Sequence, residues 1–151
     1  MKIKVLFICH GNICRSPMAE FMFKDMVKKA HREDEFYIES AATSREEIGN
    51  DIHPGTKNVL RRYGIPFGRH YARQITKEDY ETFDYIICMD GMNVRNTMRI
   101  LGDDKKEKVR KLLDRDVADP WYTGNFELAY NEILEGCEDF IKYLKESNKM
   151  G

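Results

Sequence analysis

A chain of 151 residues, 42% hydrophobic and 34% charged, has the length and apolar content to fold around one core without disulfides or metals, which argues against disorder and for a single domain over residues 1–151. Its 25 Lys and Arg stand against 26 Asp and Glu, a net charge of -1, which excludes the long-range attraction that nucleic acid or an anionic membrane would require. Any anion must be caught by local geometry.

The first predicted element is the strand IKVLFIC, residues 3–9. Lys2 and Lys4 precede only a short apolar stretch, Val5 to Cys9, too brief for a secretory signal, and no run approaches the length of a membrane span. The cytoplasm is therefore the expected compartment, with reduced thiols. The four cysteines, at 9, 14, 88 and 137, form neither a CxxC pair nor the spacing of a secreted disulfide framework. No zinc site is expected, because Cys9 and Cys14 lack a second pair of ligands and His31 and His53 sit alone in polar stretches.

After a loop from His10 to Arg15, Ser16 and Pro17 read as the N-cap and first residue of a helix running through PMAEFMFKDMVKKA. The strand EFYIESA follows, then the helix TKNVLRRYG, stopped by Gly64 and Pro66. Further on come ARQI, the strand YIICMD with Cys88 in the core, the helix MNVRNTMRIL, and the solvated connection DDKKEKVRK leading into VRKLL. The last helix, ELAYNEILEGCEDFIKYLKES, carries Ile133, Leu134, Cys137, Ile141 and Leu144 on one face, which makes Cys137 a core residue. Apolar runs alternating with helices predict an α/β fold: a doubly wound, flavodoxin-like, four-stranded parallel sheet with helices on both faces.

Within that fold the His10–Arg15 loop joins the end of a buried strand to a helix N-terminus, where ligands bind doubly wound sheets and unpaired N–H groups point at anions. Gly11 and Asn12 tolerate unusual backbone angles and let successive amides turn toward one centre. Arg15 adds a fork that pairs two phosphate oxygens. A thiol of ordinary pKa is only about 3% ionised at pH 7, and a helix N-terminus raises that fraction. Cys9 is thus a candidate nucleophile facing a phosphate cradle, with a packed structural cysteine as the alternative. The pattern C-x5-R is weak alone and gains weight from its placement between strand and helix.

Breaking a phosphate ester also calls for a proton donor. VADPWYTGN offers Asp119, held by Pro120 and followed by Trp121 and Tyr122, two rings able to flank a flat substrate. Taken alone, the stretch reads better as a simple Asp-Pro turn with aromatics packed on the core.

CHGNICRS and DPWY at this separation resemble the low-molecular-weight protein tyrosine phosphatases, and the likeness runs from about residue 3 to residue 146. The resemblance implies that Cys9 forms a phosphocysteine, Arg15 binds phosphate, and Asp119 protonates the leaving oxygen and then serves as base for water. It implies that Ser16 hydrogen-bonds the thiolate and that Asn12 is left-handed, braced by Ser40 and His70. Read without it, His70 is an exposed loop residue. His10, Gly11, Asn12, Ile13 and Cys14 line the substrate site by the same likeness, Ile13 joining Trp121 and Tyr122 as walls of an aryl slot. Cys14 matches a second cysteine that forms a reversible disulfide with the nucleophile. The implied partners are a phosphotyrosine-bearing protein or aryl phosphate, with inorganic phosphate as product and inhibitor. No metal, cofactor, nucleic acid or membrane is implied, and a monomer is expected.

Two places in the chain depart from, or are free within, the family pattern. Many relatives carry an aromatic after SAATS, whereas Arg45, Glu46 and Glu47 stand here, predicting a rim less sticky to aromatics and less welcoming to acidic phosphopeptides. His10 either touches substrate or faces solvent. Three rival activities carry expectations of their own: an arsenate reductase needs two further cysteines near one another, a protein-arginine phosphatase of this family typically has threonine at the position of Ile13, and a non-catalytic phosphotyrosine-binding module needs neither Cys9 nor Asp119.

Overall fold

The computed structural model describes residues 2–150. Four strands, β1 (Ile3–Cys9), β2 (Phe36–Ala42), β3 (Tyr85–Cys88) and β4 (Val109–Lys111), form one parallel sheet in the order β2-β1-β3-β4. Six helices accompany them among the described residues: α1 (Arg15–Lys29), α2 (Pro54–Arg62), α3 (Lys77–Thr82), α4 (Gly91–Leu101), α5 (Pro120–Thr123) and α6 (Phe126–Glu146). This is the predicted doubly wound, flavodoxin-like α/β architecture.

The apolar run of β1 is explained by its central place. Val5 and Phe7 face α1 and α6, while Leu6 and Ile8 face the opposite layer, where they meet Ile86 and Cys88 of β3 and the apolar side chains of α3 and α4. Both faces are covered, so polar alternation would place an unsatisfied group in one core or the other. Phe23 of α1 organises the first layer, with its ring 5.7 Å from Phe7, 5.4 Å from Phe36 and 5.6 Å from Phe140. Cys88 and Cys137 are fully buried, as expected, on opposite sides of the sheet. Burial pushes the Cys88 thiol up to about 12 and that of Cys137 higher still.

Several local expectations need correction. Helix α1 begins at Arg15, with Cys14 rather than Ser16 in the N-cap position; the Ser16 hydroxyl is drawn instead to Cys9 and Asn12. ARQI forms only a single bridge, Ala42 to Gln74, before Thr76 opens the capping box of α3. The DDKKEKVRK connection is more than a solvated loop: the Asp104 carboxylate gathers the N–H groups of Lys108 and Val109 and the Tyr80 hydroxyl, and Val109 starts the edge strand β4. On α6, Leu134 and Ile141 are only partly buried, and Tyr130, Gly136 and Phe140 share the inner face. Gly64 is left-handed at φ 68°, as its stop signal predicts.

Because β1 sits between β2 and β3, the chain leaves its C-terminal end in one direction and later returns on the other side. That switch point opens a crevice beside Cys9. No helix among the described residues is long and apolar enough to cross a membrane, and no group of three or more His, Cys, Asp or Glu among them is placed to hold a metal ion.

At the β4 edge of the sheet, α6 lies so close to the segment after β4 that a Cβ on Gly136 would come within 2.3 Å of Leu112 Cγ. Replacing Gly136 by Ala gains about 1 kcal/mol of helix propensity and costs about 1–3 kcal/mol of overpacking. Gly136→Ala is therefore expected to lower the urea midpoint with m unchanged; an equal or higher midpoint would mean that the two elements separate without cost.

Candidate active site

Five carbonyls from Cys9, the last residue of β1, to Cys14 are claimed from outside. Cys9 O accepts from Thr43 N at 3.0 Å, His10 O from Ser44 N at 3.0 Å, Asn12 O from His70 Nε2 at 2.8 Å, Ile13 O from His53 N at 2.9 Å and Cys14 O from Thr56 Oγ1 at 3.1 Å. In a trans peptide the C=O and the following N–H point in opposite directions. Holding the carbonyls of His10, Asn12, Ile13 and Cys14 outward therefore turns the N–H groups of Gly11, Ile13, Cys14 and Arg15 inward. None of these four donates to a protein acceptor among the described residues. The result is a ring of free donors at a helix N-terminus, fitted to an anion.

Asn12 makes the turn possible, at φ 60°. Its buried side chain uses all of its hydrogen-bonding capacity: Nδ2 donates to Ser16 Oγ at 2.8 Å and Ser40 Oγ at 2.9 Å, and Oδ1 accepts from His70 Nε2 at 3.1 Å and Arg73 N at 3.2 Å. His70 Nε2 faces two oxygens and so carries the hydrogen. Far from being an exposed loop residue, His70 is buried. Ser40 passes its own hydrogen to Glu20 Oε1 at 2.6 Å. Ser16, already accepting from Asn12, has its hydroxyl 3.0 Å from Cys9 Sγ, nearer than the 3.5 Å to Ala41 O. The Asn12 N–H, 3.3 Å away, also donates to that sulfur. Both contacts bring hydrogen-bonding groups to the sulfur.

Asn12 thus stands behind the cradle rather than in its cleft. Gly11 has no positive φ, contrary to the expectation that both residues supply unusual angles; a Cβ there would instead lie 3.3 Å from Glu47 Cγ.

Arg15 is 2% exposed, with Nη1 donating to Asp90 Oδ2 and Val117 O, both at 2.9 Å, and Nη2 to Asp119 Oδ2 at 3.4 Å. Burial alone would lower its pKa, but the charges of Cys9, Asp119 and Asp90 outweigh that and hold the guanidinium above its ordinary value. Asp90 is a residue that sequence reasoning missed. The capping box it forms with Asn93 at the head of α4 was readable in the sequence, whereas its contact with a residue 75 positions away was not.

Asp119 caps the short α5 through Trp121 N, and Gly124 ends that helix at φ 72°. The rings beyond it are not packed on the core: Trp121 is 57% and Tyr122 83% exposed. Together with Ile13 they wall a cleft of about 320 Å³ whose floor holds Cys9 and Arg15 and whose mouth carries Glu46 and Glu47. His10 lines the same cleft, its Nε2 2.9 Å from Glu46 Oε2, which places it on the rim. Glu46 and Glu47, a departure from the family pattern in the sequence, thus stand at the mouth, and His53, isolated in the sequence, touches both the cradle and Trp121. A sulfur, a fixed cation and a carboxylate in one cleft have the composition needed for phosphoryl transfer.

Cys14 and Cys9 are both free thiols. Burial first, then the charges of Cys9 and Asp119, push the Cys14 thiol up to about 12, so it is un-ionised at neutral pH. Cys88 and Cys137 lie in separate core layers on opposite sides of the sheet and so are not near one another, as an arsenate reductase would require.

The family model described as low molecular weight phosphotyrosine protein phosphatase matches residues 4–150. A low molecular weight protein-tyrosine-phosphatase of Bacillus subtilis, YfkJ, is 41% identical, the match covering 98% of this chain and 99% of that protein; its crystal structure superposes with a TM-score of 0.94 over 97% of each chain. The low molecular weight protein tyrosine phosphatase SP-PTP of Streptococcus pyogenes is 45% identical, with a TM-score of 0.89 over 95% of this chain and 93% of that one. DARP, a Drosophila arginine phosphatase, is 32% identical, with a TM-score of 0.86 over 95% and 98%. By sequence, by fold and by the loop that closes around Cys9, the chain belongs to the low molecular weight phosphotyrosine protein phosphatases, a family of hydrolases.

Proposed function

We propose that this protein hydrolyses phosphotyrosine through a phosphocysteine intermediate on Cys9. The observation that carries this is the ring of inward N–H groups closing around the Cys9 sulfur with Arg15 and Asp119 at the same cleft. The phosphate dianion seats its oxygens on the loop amides and Arg15, where the same donors stabilise the equatorial oxygens as the sulfur attacks in line. The ester bond breaks as the S–P bond forms, and Asp119, protonated for this step, gives its proton to the departing phenolate. Water then attacks phosphorus, Asp119 takes one of its protons, and the thiolate leaves. Phosphate is the product and, because it fits the same cradle, an inhibitor. Ile13, Trp121 and Tyr122 supply apolar walls for the aryl ring, and Ser16, Asn12, Ser40 and His70 hold the loop.

Phosphoarginine is a second reading, favoured by one observation. Glu46 and Glu47 line the mouth, and among the described residues neither is paired with a lysine or arginine, so a guanidinium attached to phosphate would find carboxylates there. Against it stands Ile13, apolar where arginine phosphatases of this family typically carry threonine. The deciding experiment measures phosphate release from matched phosphotyrosine and phosphoarginine peptides by wild type and Cys9→Ser. Preference for phosphotyrosine that vanishes in Cys9→Ser, with phosphate still bound, is the expected outcome. Preference for phosphoarginine selects the second reading, and turnover of neither leaves a binding module.

Removing the acid with Asp119→Asn is expected to lower kcat about 10²–10⁴-fold on phosphotyrosine and far less on an aryl phosphate with an activated leaving group. Equal losses on both would take Asp119 out of proton transfer.

The Glu46 and Glu47 carboxylates at the mouth also set a preference among phosphotyrosine peptides. Each exposed charge contact is worth up to about 1 kcal/mol and is weakened by salt. Peptides with acidic flanks are expected to show a kcat/KM several-fold below that of basic ones at low ionic strength, and Glu46→Gln with Glu47→Gln should narrow the gap. A preference for acidic flanks in the wild type would contradict this account of the rim.

A further inference from the structure

His53 takes no part in the proposed proton or phosphoryl transfers, yet four contacts meet at it. Its backbone N–H donates to Ile13 O at 2.9 Å, helping to hold a cradle carbonyl outward. Its Nδ1 accepts from Gly55 N at 2.9 Å and caps α2, so the hydrogen of the neutral ring resides on Nε2. The ring stacks on Phe126, centroids 5.0 Å apart at 21°, and meets Trp121 edge to face at 5.9 Å and 82°. The stack is a close one: a Cβ on Gly55 would lie 2.4 Å from the Phe126 ring, so the histidine and the phenylalanine come together only because residue 55 has no side chain.

Trp121 needs such support. It is more than half exposed and stands on a helix of four residues, too short to hold a side chain rigid by itself. Edge-to-face aromatic pairs lie in the distance range observed here and fix the relative orientation of two rings.

We propose that His53 is a positioning residue for the aryl slot. Its ring holds Trp121 in place, and its backbone ties that wall to the phosphate cradle through Ile13. The distance from phosphate site to aromatic wall is then set by one residue instead of by two independent loops. The inference rests on the reading that an aryl phosphate enters between Trp121 and the cradle.

Two variants separate the ring from the cap. His53→Asn keeps a side-chain oxygen for the Gly55 N–H and removes the ring; His53→Phe keeps a ring and removes the acceptor. Trp121 is the chain's one tryptophan, so acrylamide quenching of its fluorescence reports the wall directly, whether or not the protein turns over phosphotyrosine. His53→Asn is expected to raise the quenching constant and to raise KM for phosphotyrosine about two- to tenfold, while the inhibition constant of inorganic phosphate, which does not reach the wall, stays within about twofold. His53→Phe should restore quenching and KM toward wild type. Unchanged quenching and KM in His53→Asn would overturn the proposal. So would parallel weakening of phosphotyrosine and inorganic phosphate, which would make His53 a support of the cradle alone. Should wild type fail to hydrolyse phosphotyrosine, the functional reading falls, and the quenching comparison still decides whether His53 holds the wall.

Discussion

The site depends on one buried amide. A left-handed backbone at a residue with a side chain is unfavourable, and a buried amide group left unpaired costs more than one that is bonded. At Asn12 the two demands answer each other: the side chain finds four partners only because the backbone has turned, and the backbone stays turned because those partners hold it. The partners come from α1, β2 and the loop carrying His70 and Arg73, so the curvature of an eight-residue stretch is referred to three separate parts of the fold. A network of this kind stabilises when complete and is a liability when partly broken.

The sheet supplies the other half of the arrangement. Cys9 closes the central strand, paired on both sides along most of its length, and strand and helix meet at the crevice where donors from α1 are free. The four cysteines divide accordingly. Cys88 and Cys137 are sealed in the core with thiols raised by burial, Cys14 lines the cleft with its thiol raised as well, and Cys9 alone among them has both a backbone N–H and a serine hydroxyl on its sulfur.

How much of this could be read in the sequence follows the range of the interactions. Strand β1, helix α6 and the turn at Gly64 rest on local periodicity and backbone preference, and all were legible. The C-x5-R loop was legible too, because its parts are contiguous. Ser16 misled for a local reason: Ser-Pro before an apolar run has the form of a cap, and nothing nearby says that the hydroxyl goes back to a sulfur seven residues upstream. Asp90, His53 and the tie between His70 and Asn12 join positions 40 to 75 residues apart. Such contacts leave no periodic trace in a single chain, and His70 was placed only through the family resemblance. The exposed rings of Trp121 and Tyr122 were ambiguous until the fold decided which side of α5 faced the core.

Arg15 is a nearly buried cation, and a buried cation is never left without a counter-charge. Its bonds to Asp90 and Val117, at 2.9 Å, are short and fixed, while the one to Asp119 is long, at 3.4 Å. One arm of the guanidinium is therefore anchored to the scaffold and the other is held loosely by a group on the cleft. The cleft resembles an ion-exchange resin with a single seat, and in this structure a carboxylate of the protein's own, Asp119, holds it loosely. With Asp90 and Asp119 both on the guanidinium, no bare charge stands in the core, and the loop keeps its shape without borrowing a charge from outside.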